Sequence, residues 1–280
     1  MKRLLSVLRT STWLGWQVDA NWADPLLFLG LGIARPLATT LILYLMVRVV
    51  SPAHATTEAF LQIFVGNVFF IYVVEMLVGL SWAIFRDRED YETLKYIYLA
   101  PMHFLPYLLG RGMTRLLTAT VGVVASLAFG SFVIGLPLTH ALSHWLLAGL
   151  ATLTGLVAIL WLGMLLAGVS LLVARHSMNL NEGLAGLFYL LCGAVFPLEV
   201  LPRWAQSVSL LLPFTYWLEL LRRILTGRGF AGPLAERPDG VLWVVLIVST
   251  VGFAVAGLGV FGVCERIARE KGLIDRTTNY

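Results

Sequence analysis

The sequence predicts an all-α integral membrane protein. It has six transmembrane helices, an N-terminal interfacial amphipathic helix, a short cytoplasmic helix after the second span, and an extracellular re-entrant helical hairpin before the last span. Three observations carry this reading. Hydrophobic residues make up 59% of the chain and charged residues only 13%, about half the ~25% of ordinary soluble domains. Apolar runs long enough to cross a ~30 Å hydrocarbon core recur along the chain with short loops between them. The Lys and Arg residues near the run ends also fall unevenly on the two sides.

The spans are expected at Pro25–Val50, Ala59–Phe85, Gly112–Leu136, Trp145–Ala174, Gly183–Leu201 and Gly240–Cys264. Short loops make neighbouring helices antiparallel. With the N-terminus inside, the inner side collects Lys2, Arg3, Arg9, Arg86, Arg88, Lys95, Arg111, Arg115, Arg175, Arg266, Arg269, Lys271 and Arg276. The outer side has Arg48, Arg203, Arg222, Arg223, Arg228 and Arg237. The bias puts both termini in the cytoplasm. Residues 1–24 form a separate interfacial unit before the membrane domain at 25–280. On a helical wheel Leu4, Leu5, Val7, Leu8, Leu14 and Trp16 share one face, opposite Lys2, Arg3, Ser6, Arg9 and Thr10. Such a helix lies in the headgroup plane against membrane lipids, although Trp13 breaks the pattern. The polar Thr10-Ser11-Thr12 excludes a cleaved signal peptide.

Polar residues concentrate at three places. The first is Arg86-Asp87-Arg88-Glu89-Asp90-Tyr91-Glu92, after the second span. Asp87 is suited to cap a helix over 87–98, with Tyr91, Leu94 and Tyr98 on one face and Pro101 as its bound. Two uses of this segment are open from the residues alone: docking on another protein, or a solvated connector with tyrosines resting on the membrane. The second place is inside the spans, where a charge is costly and faces a partner or water. Arg35 and Glu75 each sit about ten residues from the inner end of their helices, roughly 15 Å deep. They are expected to pair, or to line one polar path with Asn67 on the Glu75 face. The third is the stretch after the fifth span. Pro197, Pro202 and Pro213 interrupt two helical pieces, at 204–212 and 214–225, neither long enough to span. A re-entrant hairpin over 203–225 accounts for the arginines on the outer side, because irregular backbone at membrane depth needs shielding by protein or water.

Several chemistries have no support. No G-x-x-x-x-G-K-[ST] loop exists, and Lys2, Lys95 and Lys271 are the only lysines. The histidines lack zinc spacing, Cys192 and Cys264 form no ligand pair, and no basic stripe points to nucleic acid. The chain is thus expected to bind no cofactor or metal and to have no catalytic residue.

Two stretches resemble the membrane subunits of type-2 ATP-binding-cassette (ABC) exporters. Asp87-Arg88-Glu89-Asp90-Tyr91-Glu92-Thr93-Leu94, followed by Pro101 and Gly110-Arg111, is similar to that family's R-E-x-G-T-L-E … P … G-K segment. Tyr91-Glu92 stands where the family often has a glycine. Phe196-Pro197-Leu198-Glu199-Val200-Leu201-Pro202 and Leu212-Pro213-Phe214-Thr215-Tyr216-Trp217-Leu218-Glu219-Leu220-Leu221-Arg222 resemble its F-P-x-x-x-L-P … L-P-x-T-Y-x-x-E-x-x-R signature.

The resemblance implies two permease copies, identical or different, working with nucleotide-binding ATPase subunits in a prokaryotic plasma (inner) membrane. ATP and Mg would bind to the ATPase partner. Residues 87–98 would be the coupling helix, with Asp87, Arg88, Glu89, Asp90, Tyr91, Glu92, Leu94 and Tyr98 as its working residues. Arg175 to Glu182 would make a second, smaller contact, and Phe196, Pro197, Pro213 and Phe214 would lie near the outer gate. The cargo would be hydrophobic or amphipathic: a drug, a lipid or a lipid-linked glycan. Two alternatives remain from the residues themselves: an ion-gradient-driven secondary transporter or channel using Arg35 and Glu75, and a non-transporting scaffold or sensor.

Overall fold

A computed structural model describes residues 2–20, 25–50, 58–138, 141–173, 177–230 and 232–274, and among them no strand occurs. The chain runs through α1 (Lys2–Ala20), α2 (Pro25–Val50) and α3 (Glu58–Phe85), then a π-helical turn at Arg86–Asp90 and α4 (Leu94–Leu99). It continues with α5 (Phe104–Ala128), whose axis is prolonged by a π-turn to Ile134, and α6 (Leu142–Leu172). After α7 (Ser177–Leu191) come the short α8 (Arg203–Ser209) and α9 (Pro213–Thr226), and α10 (Asp239–Glu270) ends the bundle.

Among the described residues five helices are long and apolar enough to cross a membrane: α2, α3, α5, α6 and α10. The fifth expected span, Gly183–Leu201, is not one continuous helix. α7 has 15 residues, roughly 22 Å at 1.5 Å per residue. It stops because Gly193 takes a left-handed φ of +70°, a conformation that glycine adopts without steric cost. A turn of 3₁₀-helix at Leu198–Val200 then leads to α8 and α9.

Of the five long helices, α3 is the most enclosed and α2 the most open. Leu31, Leu41, Ile42, Leu45, Met46 and Val49 leave one side of α2 exposed, as lipid-facing side chains are. α2 meets α5 where Pro36 packs on Gly122. α9 is buried along its whole length from Pro213 to Arg222. Its Trp217 is fully buried, edge-on to Phe69 of α3 at 6.0 Å, with Gly155 of α6 leaving room for the indole. α6 and α10 approach closely enough that a Cβ on Gly257 would lie 2.6 Å from the Trp161 carbonyl oxygen, the small-residue contact by which membrane helices pack.

Candidate functional site

The charged segment after α3 does not form one helix over 87–98. Its first part is the π-turn, and Asp87, Arg88 and Glu89 are buried there at 3%, 2% and 4% exposure. Arg88 Nε pairs with Glu89 Oε1 at 3.1 Å, and Nη1 donates to the Ser170 and Leu171 carbonyls at 3.4 and 3.3 Å. Those carbonyls belong to the last turn of α6, where helix geometry leaves acceptors without partners and the dipole favours a cation. Arg88 therefore caps α6. Asp87 Oδ2 accepts from the Tyr107 hydroxyl at 2.7 Å, and Oδ1 lies 3.6 Å from Arg111 Nη2.

Burial costs of this size are offset only when charges are paired, so the inward-facing half of the segment joins α3, α5 and α6. Glu92 then turns the chain with a φ of +51°, and α4 follows. It stands where the resembled family's glycine would, in a conformation that favours glycine. Leu94 is buried, Tyr98 is half-buried, and the outward side consists of Asp90, Tyr91, Glu92, Thr93, Tyr96 and Leu99. Leu99 is 81% exposed and Tyr96 64%. The expected face of Tyr91, Leu94 and Tyr98 is thus divided, and Tyr96 with Leu99 takes the outward place of the last two. The break at residues 91–93 shifts the helical phase and causes this.

The N-terminal helix is bound to the same region. A Cβ on Gly110 would lie 2.5 Å from Ser11 Cβ and 2.8 Å from the Leu8 carbonyl oxygen, so α1 and α5 touch backbone to backbone. Thr114 donates to the Thr12 carbonyl at 3.0 Å. At the end of α1, Asp19 Oδ1 takes Arg86 Nη1 at 3.3 Å and Arg115 Nη2 at 3.1 Å. Arg115 also reaches Glu75 Oε2 at 3.8 Å. The partner of Glu75 is therefore Arg115 rather than Arg35, whose exposed side chain pairs with no described residue. Asn67 is buried and accepts from the Tyr189 hydroxyl at 2.7 Å. Arg35, Asn67 and Glu75 thus turn to three different surroundings. Hydropathy does not bring Asp19, Tyr107, Arg111 and Arg115 together, and the i,i+4 spacing of Tyr107, Arg111 and Arg115 is the sequence feature that puts three of them on one face of α5.

The outer signature has the same logic. Arg222 is buried, with Nε donating to the Gln62 carbonyl at 3.0 Å and Nη2 to the carbonyls of Gly193 and Ala194 at 2.5 and 3.0 Å. Its guanidinium lies 4.5 Å from the Phe230 ring centre. Gly66 makes room, because a Cβ there would strike Arg222 Nη2. Arg222 satisfies the carbonyls released where α7 stops early. Glu219 takes the Phe230 N–H at 3.1 Å and Arg223 Nε at 3.1 Å, and Arg223 continues to Asp239 at the start of α10. The cavity bounded by Cys192, Thr215, Glu219, Arg222 and Phe230 is about 10 Å³, room for at most one water and too small for a cargo. Pro213 and Phe214 are buried, Phe214 edge-on to Phe188 at 5.3 Å, while Phe196 is 48% exposed and Pro197 half-buried. The four expected gate residues are therefore split between the packed interior and the surface. Of the second expected contact, Arg175 lies outside the described residues and Glu182 is exposed on α7.

Comparison with known proteins agrees with this architecture. The family model described as "ABC-2 type transporter" matches residues 7–226, which is α1 through to the end of α9. The chain therefore belongs to the ABC-2 type transporter family, as a membrane component. It is also similar to proteins named "Probable multidrug ABC transporter permease YbhR" from Escherichia coli strain K12 and from Escherichia coli O157:H7. Each is 23% identical over 160 residues, or 55% of this chain and 40% of the relative. The matched stretch is thus less than half the length of those relatives.

Proposed function

We propose that this chain is the permease half of an ABC exporter. It moves a hydrophobic or amphipathic cargo outward across a prokaryotic plasma membrane, powered by ATP hydrolysis on a separate subunit. The observation that carries the reading is the division of the segment at residues 86–99. Its inner half is tied by charge to α1, α5 and α6, and its outer half exposes two tyrosines, a leucine and two carboxylates to a partner. Exposed Tyr91, Tyr96 and Leu99 fall within nine residues among exposed polar ones, and a cluster of apolar groups rimmed by polar groups is what contact sites present. Family membership supports an ATP-binding partner, and the relatives' names support a drug-like cargo.

Two copies of the permease complete the assembly in this reading, with both termini in the cytoplasm. The buried α9 and the capped end of α7 form the fixed outer wall against which the long helices move. Reconstitution tests the function. Inverted vesicles holding the chain with its co-purified ATPase should accumulate an amphipathic dye only when ATP is supplied, and vesicles holding the chain alone should not. ATP-independent movement by the chain alone would contradict the proposal and favour a gradient-driven transporter.

A further inference from the structure

Beneath the exposed side of α4, aromatic rings form a ladder that ends on the last helix. Tyr98 stacks on Phe104 with ring centres 4.6 Å apart and planes at 23°. Phe104 stacks on Phe261 of α10 at 6.1 Å and 10°, and on Tyr107 at 5.8 Å and 29°. Tyr107 is the residue whose hydroxyl holds Asp87 in the π-turn. On Tyr98, the Arg269 guanidinium sits 4.8 Å from the ring centre and is fixed by Glu265 at 2.6 Å. Burial, and after it the Glu265 carboxylate, pushes the Tyr98 phenol well above its ordinary pKa, so the ring is neutral. The Tyr98 hydroxyl faces the Glu265 carboxylate without good hydrogen-bond geometry, so the ring face is the better-held part of the side chain. α10 has 32 residues, roughly 48 Å, and the membrane needs only ~30 Å of that. The surplus carries Glu265 and Arg269 out to α4.

We propose that the cytoplasmic end of α10 is the positioning element of the coupling segment. Arg269, fixed by Glu265, holds α4 at Tyr98 on its inward side, and Phe261 reaches Tyr98 through Phe104 of α5, so a displacement of the exposed side of α4 passes through the rings into the last span. Close contact of α10 with α6 at Gly257 and Gly168 carries the displacement onward. Transmission of this kind needs an element whose arrangement both ends can bias, and stacked rings with one cation supply a rigid link. The relay rests on the reading that the exposed side binds an ATPase, whereas the grip itself does not.

The test uses the full chain with the buried Cys192 and Cys264 replaced by alanine and spin labels at exposed His103 and Lys271. In vesicles without any ATPase, the label distance should form a single narrow population. It should broaden about twofold in Phe261→Leu and in Arg269→Ala and stay narrow in Tyr98→Phe, because only rings and the cation hold the joint. A broad population in the unsubstituted chain, or broadening in Tyr98→Phe equal to that in Phe261→Leu, would overturn the grip whatever the docking surface does. With the co-purified ATPase present, a second label pair at Val49 and Val241 reads the outer ends of α2 and α10. Its ATP-driven shift should fall by about half or more in Arg269→Ala. A full shift in that variant, with the ATPase still bound, would overturn the relay, as would failure of the unsubstituted chain to bind an ATPase at all.

Discussion

Arg222 on the outer side and Arg88 on the inner side perform the same task with different completeness. Each places a guanidinium on backbone carbonyls where a helix gives way to a turn, Gly193 and Ala194 just past α7 in one case and Ser170 and Leu171 in the last turn of α6 in the other. The contacts of Arg222 are short, at 2.5 to 3.0 Å, and its neighbours from Pro213 to Leu221 are all buried. Those of Arg88 to the carbonyls are long, at 3.3 and 3.4 Å, and two residues later the chain is exposed. A sealed cap makes a wall, and a half-sealed cap leaves a surface for a partner. Charged signatures in this membrane domain first satisfy carbonyls at helix ends and turns, and in the proposed function contact falls to the residues they leave outside.

Arg222→Leu should have the largest effect, because three carbonyls lose their donor inside the bundle. A loss on the order of 3–5 kcal/mol is expected, seen as aggregation in size-exclusion chromatography of the detergent-solubilised chain. Arg88→Leu/Glu89→Gln, which removes both charges of the buried pair together, should cost less, about 1–3 kcal/mol, and lower the melting temperature while leaving the protein monodisperse. Equal damage from the two would break the comparison. Gly110→Leu should be milder for the bundle, about 1–2 kcal/mol, yet should lift α1 from α5. Hydrogen exchange in residues 2–20 would rise while exchange in α3 and α6 stays slow. The smallest effect belongs to Glu92→Gly. Relief of a left-handed backbone should raise stability by about 0.5–1 kcal/mol, and a loss instead would show that the Glu92 side chain matters more than its φ.

Much of this was legible in the sequence because lipid imposes simple rules. Three of the six expected spans coincide within a few residues with α2, α3 and α6, α10 runs six residues past the expected end at Cys264, and α5 begins eight residues earlier than the third span at Gly112. The pieces at 204–212 and 214–225 correspond to α8 and α9. The fifth span failed because Gly193 and Pro197 lie within an apolar run, and hydropathy does not register a turn whose carbonyls a distant arginine satisfies. The site was legible in its location and not in its orientation. Helical phase through 87–98 assumed an unbroken helix, and the π-turn with Glu92 resets it, which sends Leu94 inward and Leu99 outward. The pairing of Glu75 with Arg115 instead of Arg35 depends on rotation of α3 about its axis, which depth alone does not fix.

The central claim is that the exposed side of residues 90–99 binds an ATPase while the inward side only supports it. Co-purification of the ATPase with the full chain from membranes, compared with Tyr96→Glu/Leu99→Glu, tests this most directly. Both residues are exposed, so the double substitution should leave the melting temperature within about 0.5 kcal/mol of unchanged stability. It should also cut the recovered ATPase about tenfold or more, as loss of central aromatic and aliphatic anchors does at interfaces. Full recovery of the ATPase by the stably folded double variant would contradict the account.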